Sequence, residues 1–241
     1  MDIVIITGGS KGIGRALVEH YAAENYKVFA LSRSHEAFDN FTQVSVDLTD
    51  ISAAEHIFEG VLEQLKTCDI SSLTLINNAG RLGDIKHLED LKSDDVSKSI
   101  QLNITAAFLL SSMFIDFGKA YACPKHILNI SSGAASSAYA GWSVYCATKS
   151  AIDMLTATIA VEQGEKENPV SCYGIRPGVV DTEMQTQIRS SNAEDFENVQ
   201  KFKDLKESDQ LYKPKFVAKR IFKLLTSQKL TSGQTVDLRE A

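Results

Sequence analysis

Residues 3–14 constrain this chain more than any other stretch. Ile3-Val4-Ile5-Ile6 is a run of β-branched apolar residues. Thr7-Gly8-Gly9-Ser10-Lys11-Gly12-Ile13-Gly14 follows at once and opens onto the helical pattern Arg15-Ala16-Leu17-Val18-Glu19. A strand with no polar side has to be covered on both faces, as happens in a parallel sheet. Glycines let the backbone turn tightly and come close to an anion, whose charge is held by free N–H groups and the positive end of the helix dipole. Strand, glycine turn and helix in that order are the setting a dinucleotide pyrophosphate requires.

The remainder of the 241 residues repeats the alternation of short apolar runs and longer segments of helical period. Strands are expected at Ile3–Ile6, Lys27–Leu31, Gln43–Val46, Leu73–Ile76, His126–Ile130, Val170–Gly174 and Thr235–Leu238, and helices at Gly12–Glu24, Ser52–Lys66, Ser93–Ala120, Val144–Gln163 and Lys215–Thr226. The expected fold is α/β: a single-domain, doubly wound (Rossmann) parallel sheet of about seven strands with helices on both faces, residues 1–241 forming one unit. Glu183–Tyr212 breaks the rhythm. It is polar and poor in strand formers, and a segment of that length before a final strand is either a helical lid over a site or a plain surface excursion.

A formal net charge of −6 leaves no basic stripe for nucleic acid or anionic membranes. The N-terminal apolar run is too short for a signal segment, so a cytoplasmic protein is expected. Cys68, Cys123, Cys146 and Cys172 are widely spaced, no C-x-x-C or H-E-x-x-H occurs, and reduced thiols and no metal are expected.

Further motifs follow in order: Asn77-Asn78-Ala79-Gly80 after the fourth strand, Asn103 in a central helix, Ser132 after the fifth strand, Tyr145-x-x-x-Lys149, Pro177-Gly178 after the sixth strand, and Thr182. With the Thr-Gly-x-x-x-Gly-x-Gly spacing of residues 7–14, this set resembles the short-chain dehydrogenase/reductase family over almost the whole chain. The resemblance implies a nicotinamide-dependent oxidoreductase. Its cofactor contacts would come from Gly8, Ser10, Lys11, Gly12, Ile13, Gly14, Ser32, Arg33, Asp47, Leu48, Asn78, Ala79, Gly80, Tyr145, Lys149, Pro177, Gly178, Val180 and Thr182.

Reducing a carbonyl takes a hydride on carbon and a proton at the oxygen where negative charge builds. Tyr145 can supply the proton, and Lys149, one helical turn on, is expected to lower the phenol's pKa. The same spacing recurs at Tyr121-Ala122-Cys123-Pro124-Lys125, where Pro124 breaks the helix. Thirteen residues before Tyr145 stands Ser132; thirteen before Tyr121 stands Phe108. Thirteen is the family's serine–tyrosine spacing, so the resemblance gives Ser132 the task of orienting the carbonyl, Lys149 a contact to the nicotinamide ribose, and Asn103 a water linking Lys149 to solvent. A serine here can also simply satisfy backbone, as Ser131 would.

Sites that prefer NAD place an acid after the second strand, where it accepts from the ribose 2′-hydroxyl. Here Leu31-Ser32-Arg33 occupies that place; a guanidinium instead suits a 2′-phosphate, with Lys11 as a second cation, so NADPH/NADP+ is expected. The competing reading pairs Arg33 with Glu36. Asp47 is either an adenine contact or the cap of the helix starting near Ser52.

Small and aromatic residues surround the expected carbonyl position: Gly133-Ala134-Ala135, then Tyr139-Ala140-Gly141-Trp142. Trp142 offers a face for an aryl group or serves as a core residue, and Met184 closes a lid over the substrate or merely packs. The runs Ser131–Ala135, Gly141–Tyr145 and Pro177–Gln185 together resemble the benzil reductase group, related to sepiapterin reductases, which implies reduction of one carbonyl of an aromatic 1,2-diketone to an (S)-hydroxyketone. Asp237 matches the aspartate that anchors the pterin in sepiapterin reductases and could equally be a surface acid. The competing readings are a sepiapterin reductase and a non-catalytic NADPH sensor. The family usually pairs two long helices per subunit, so a homodimer through Ser93–Ala120 and Val144–Gln163 is expected, with small-molecule carbonyls as the other partner.

Overall fold

A computed structural model describes residues 1–34, 40–227 and 229–240. Seven parallel strands lie in the order β3-β2-β1-β4-β5-β6-β7. They are β1 (Asp2–Thr7), β2 (Lys27–Ser32), β3 (Thr42–Ser45), β4 (Ser72–Asn77), β5 (Lys125–Ile130), β6 (Ser171–Arg176) and β7 (Thr235–Asp237). The connecting helices are α1 (Gly12–Ala23), α2 (Ile51–Leu65), α3 (Ser93–Ile100), α4 (Ala106–Gly118), α5 (Ser143–Gln163), α6 (Glu183–Arg189), α7 (Val199–Glu207) and α8 (Pro214–Thr226).

The β1 run is buried on both sides, and its residues split by parity. Ile3 and Ile5 enter a core with Phe58, Leu110 and Phe114 from α2 and α4, whereas Val4 and Ile6 enter a second core with Leu17 and Tyr21 of α1 and Val217 and Ile221 of α8. Burying each such side chain contributes about 1.5–3 kcal/mol, so the central strand ties both helical layers to one sheet. A third, smaller cluster joins Trp142 and Tyr145 to Ile188 of α6, Val199 and Phe202 of α7, and Phe196 between them. Glu183–Tyr212 thus carries two helices that pack against Trp142 and Tyr145.

Two elements differ from the sequence expectation by more than one residue at an end. The strand expected at Val170–Gly174 runs on to Arg176, because Gly174, Ile175 and Arg176 pair with Thr235, Val236 and Asp237 of β7. The helix expected to run unbroken over Ser93–Ala120 is split by a π-helical turn at Gln101–Thr105, between α3 and α4. Asn103 lies in that turn, and its side chain is bonded to the loop after β4, a tertiary bond invisible to helical periodicity. By length and composition Ser93–Gly118 could cross a membrane, with a mean hydropathy of 1.4 over an 18-residue window, yet Leu110 and Phe114 are core residues of this sheet.

The second Tyr-x-x-x-Lys also finds its explanation. Lys125 is buried and donates to the carbonyls of Tyr121 and Cys123, the latter at 3.0 Å, so it satisfies the chain leaving α4 at the end of the sheet where the strands begin.

Candidate active site

In open parallel sheets ligands bind beyond the carboxyl ends of the strands, where the strand order reverses. That point lies between β1 and β4, and the two chain exits are bonded to each other. Thr7 Oγ1 accepts from the backbone N–H of Asn78 and Ala79, both at 2.9 Å, while Asn78 Nδ2 donates to Thr7 O at 2.8 Å and Gly8 O at 3.2 Å. Gly8 and Gly12 have φ of +69° and +57°, in the left-handed region. A Cβ on Gly14 would overlap Gly8 O and Asn78 Nδ2, so the loop closes only with glycine there. Lys11 at the N-cap of α1 makes no side-chain cap bond, and the first-turn N–H groups remain available to an anion. These residues fit a pyrophosphate.

The other expected cofactor residues gather at the same edge, in varied roles. Gly80 leaves the space between two functional groups: a Cβ there would stand 3.4 Å from Asn103 Oδ1 and 3.7 Å from Lys149 Nζ. Gly178, at φ +76°, follows buried Pro177, and Val180 bridges to Tyr212. The Thr182 methyl lies against Gly12, and next to it Glu183 ion-pairs with Lys11, joining the glycine loop to the first residue of α6. Ser10 and Ile13 are half-buried beside that loop. The Ser32 hydroxyl donates to Ser34 O at 3.3 Å and accepts from Gln43 Nε2 at 3.2 Å. Arg33 is exposed and, among the described residues, no hydrogen bond or ion pair engages it; Glu36, its competing partner, lies outside the described residues. Leu48 is buried. Asp47 is not the cap of α2, which is Asp50, accepting from Ala53 N at 3.0 Å. Asp47 accepts from the Thr49 N–H and hydroxyl, and those bonds hold its carboxyl below the usual range, with Arg33 adding a smaller pull.

Ser132, Tyr145 and Lys149 come together where β5 ends and α5 begins. Tyr145 is 7% exposed. Burial pushes its phenol up to about 12, partly countered by a hydrogen bond with Ser132. Lys149 Nζ stands 5.8 Å from the Tyr145 ring centre and donates to Ile130 O at 2.7 Å, and burial pulls it down to about 8. The expected lowering of the phenol by Lys149 is therefore not found in this chain by itself, where burial dominates. Ser132 Oγ also accepts from Ala134 N at 3.2 Å, while the Ser131 hydroxyl is buried without a partner, so of the two serines it is Ser132 that faces Tyr145. Asn103 donates to Arg81 O at 2.8 Å and to Thr148 Oγ1 at 3.1 Å, and accepts from Arg81 N at 2.8 Å. Its bonds are made to protein, and through Thr148, which donates to Tyr145 O at 2.9 Å, it braces the turn of α5 that carries the tyrosine.

The chain covers Tyr145 and Trp142 with its own side chains. Met184 Sδ lies 4.0 Å from the Tyr145 hydroxyl. Phe196 stacks on Trp142 at 4.6 Å and 13°, with Phe202 and Tyr139 leaning on the same indole at 5.5 and 5.0 Å. The face that Trp142 could offer an aryl group is thus occupied by the chain's own Phe196, and the ring packs in the cluster with Phe202 and Ile188. Asp237 is likewise engaged, forked by Arg239 with Nε at 2.9 Å and Nη2 at 2.5 Å, which holds its carboxyl low. Sequence reading left Thr7 as a mere motif position and missed Thr148 and Phe196. Thr7 carried a signal, a hydroxyl at the strand exit; Phe196, isolated in a polar segment, carried none.

Comparison with known proteins agrees with this geometry. A family model described as short chain dehydrogenase matches residues 2–193. A benzil reductase ((S)-benzoin forming) from Bacillus subtilis is 39% identical over 100% of this chain and 99% of its own length. A sepiapterin reductase from Meriones unguiculatus is 29% identical over 98% of this chain and 95% of its own. Among solved structures, 4-hydroxyisoleucine dehydrogenase complexed with NADH superposes with a TM-score of 0.79 at 25% identity, covering 98% of this chain and 96% of that one. With its sheet order, glycine loop and Ser132–Tyr145–Lys149 cluster in place, the chain belongs to the short-chain dehydrogenase/reductase family of oxidoreductases.

Proposed function

We propose that the chain is an NADPH-dependent carbonyl reductase acting on one carbonyl of an aromatic 1,2-diketone, taking benzil to (S)-benzoin. The observation that carries the reading is the convergence of Ser132, Tyr145 and Lys149 beside the β1/β4 crevice, under an aromatic lid. Full-length similarity to a benzil reductase supports the substrate class. The Arg239 fork on Asp237 counts against a sepiapterin reductase, since that carboxylate is already spent. A complete catalytic set counts against a mere NADPH sensor.

When bound, the reduced nicotinamide supplies the hydride. Everything else falls to side chains. Ser132 and Tyr145 hold the carbonyl oxygen, and as charge builds there the Tyr145 hydroxyl gives up its proton. A phenol raised to about 12 remains protonated at neutral pH, the state a donor needs, and its release requires the Lys149 charge to act on the forming phenolate. Lys149 and Asn103 border the gap at Gly80, which suits Lys149 to a ribose contact. Arg33 takes the 2′-phosphate, and Lys11 joins it by leaving an exposed pair with Glu183 that stabilises little. Because Tyr145 is covered, a ketone reaches it only when Met184 and the α6–α7 segment shift.

In the same proposal two copies pair through α4 and α5, whose outer faces expose Phe108, Met154 and, at 82%, Val161. The protein is placed in the cytoplasm.

Four measurements test this reading. Tyr145→Phe should keep NADPH affinity within about twofold and lower kcat on benzil by about a hundredfold or more; an active variant would remove Tyr145 as donor. Arg33→Ala should raise KM for NADPH about tenfold or more with little change for NADH, and parallel changes would deny the phosphate contact. For Lys149 the sign follows from its depressed value: between pH 8 and 10 the folded chain has released this proton while the unfolded chain still holds it, so stability rises with pH. In chemical denaturation Lys149→Met should therefore be the more stable protein at pH 7, with its lead shrinking by about 2–3 kcal/mol by pH 10. Sedimentation at micromolar concentration should give the dimer mass, and a monomer would refute the pairing.

A further inference from the structure

Trp142 is 7% exposed, and its indole N–H is buried with no hydrogen-bond partner. A buried orphan donor of this kind costs about 1–3 kcal/mol unless something accepts from it. The ring's stacking face is filled by Phe196, and Tyr139 and Phe202 lean on it, so its polar edge is what the indole has left to offer. The Tyr145 ring meets it at 79° with centres 5.8 Å apart. Both residues border one narrow recess, together with Leu82, Asp84, Asp95 and Ser143; it is closed, without room for a water, so an oxygen enters it only when Met184 and the α6–α7 segment shift. The Ser143 hydroxyl is a second buried group without a partner in that recess.

We infer that Trp142 is a specificity residue whose indole N–H donates to a second substrate oxygen, that of the carbonyl adjacent to the one that Ser132 and Tyr145 hold. The inference rests on the carbonyl-reductase reading above and deepens it by assigning a residue to the second oxygen of a vicinal dicarbonyl. The charge around the recess selects among such compounds. Asp95 is offset by Arg81, but Asp84 is exposed and carries no ion pair among the described residues. A carboxylate as the second group would meet that negative field, whereas a neutral ketone would not. The matching substrate is therefore a neutral 1,2-diketone rather than a 2-oxo acid. A site built to donate to a second oxygen rejects the analogue that lacks it, because the donor is again left unpaired.

Benzil and deoxybenzoin make the test, since they share two aryl groups and differ by that one oxygen. Steady-state kcat/KM would be measured for both ketones with saturating NADPH, in the wild-type protein and in Trp142→Phe. The expected result is a loss for benzil that exceeds the loss for deoxybenzoin by about tenfold. Trp142 is the chain's only tryptophan, so a benzothiophene analogue, which keeps the indole shape and lacks the N–H, can be installed at position 142 and should reproduce the selective loss even if phenylalanine perturbs the packing. Ser143→Ala serves as the comparison and should show no such selectivity. Equal losses on both ketones, or none with the benzothiophene analogue, would overturn the assignment and leave Trp142 a packing residue. If the wild-type protein reduces neither ketone, the carbonyl-reductase reading fails by itself. Calorimetric binding of the two ketones with NADP+ present then decides the assignment separately: wild-type preference for benzil that the analogue abolishes supports it, and equal affinities overturn it.

Discussion

The exits of β1 and β4 are held together by Thr7 and Asn78, and the functional end of the molecule is arranged around that closure. Four hydrogen bonds, two accepted by one hydroxyl and two donated by one amide, fix the glycine loop against the Asn78-Ala79-Gly80 turn. The loop can lie that close only because Gly8 and Gly14 have no side chains. The strands beneath cannot drift, since β1 is packed on both faces by separate cores. A rigid sheet edge carrying a bare backbone loop is the kind of platform on which a phosphate group and a reacting carbonyl can be set at fixed separation.

On that platform the two ionisable groups of the site are made by burial rather than by each other. Desolvation moves Tyr145 up and Lys149 down, toward neutrality in both cases, and Lys149 spends a hydrogen bond on Ile130 O. The closed chain thus holds its proton donor dormant. Polar ligands entering the site change the balance, because they solvate the ammonium and give the phenol an oxygen to answer to.

Much of this was legible in the residues. Mostly apolar strands such as β1 and β4, the glycine spacing, and the alternation of periods lead to a doubly wound sheet, and the order of motifs leads to Ser132, Tyr145 and Lys149. What escaped was set by tertiary contact. Nothing in helical periodicity marks Asn103 as the place where a helix widens, because the bond responsible reaches to Arg81 across the structure. Phe196 sits in a polar stretch, so its role as the cover of Trp142 emerges only when α6 and α7 fold back. Asp47 and Asp50 were separable only by geometry, two acids three residues apart with one cap to fill. The sign of the Tyr145 shift failed for a different reason: charge can be counted along a helix, whereas burial depends on every segment that covers it.

The wide turn at Gln101–Thr105 has a consequence for how one long rod serves two neighbourhoods. Closing hydrogen bonds one residue later adds a residue without adding a turn, which sets the angular phase of everything downstream back by about 100° relative to an uninterrupted α-helix. Before the turn, Ser93–Ile100 is polar, and Asp95 reaches the loop around Arg81 and Asp84. After it, Leu110 and Phe114 are driven into the sheet. The turn works as a gear change: it uncouples the stripe that shapes the mouth of the site from the stripe that holds the core, so each half of the rod can vary in composition without rotating the other out of register.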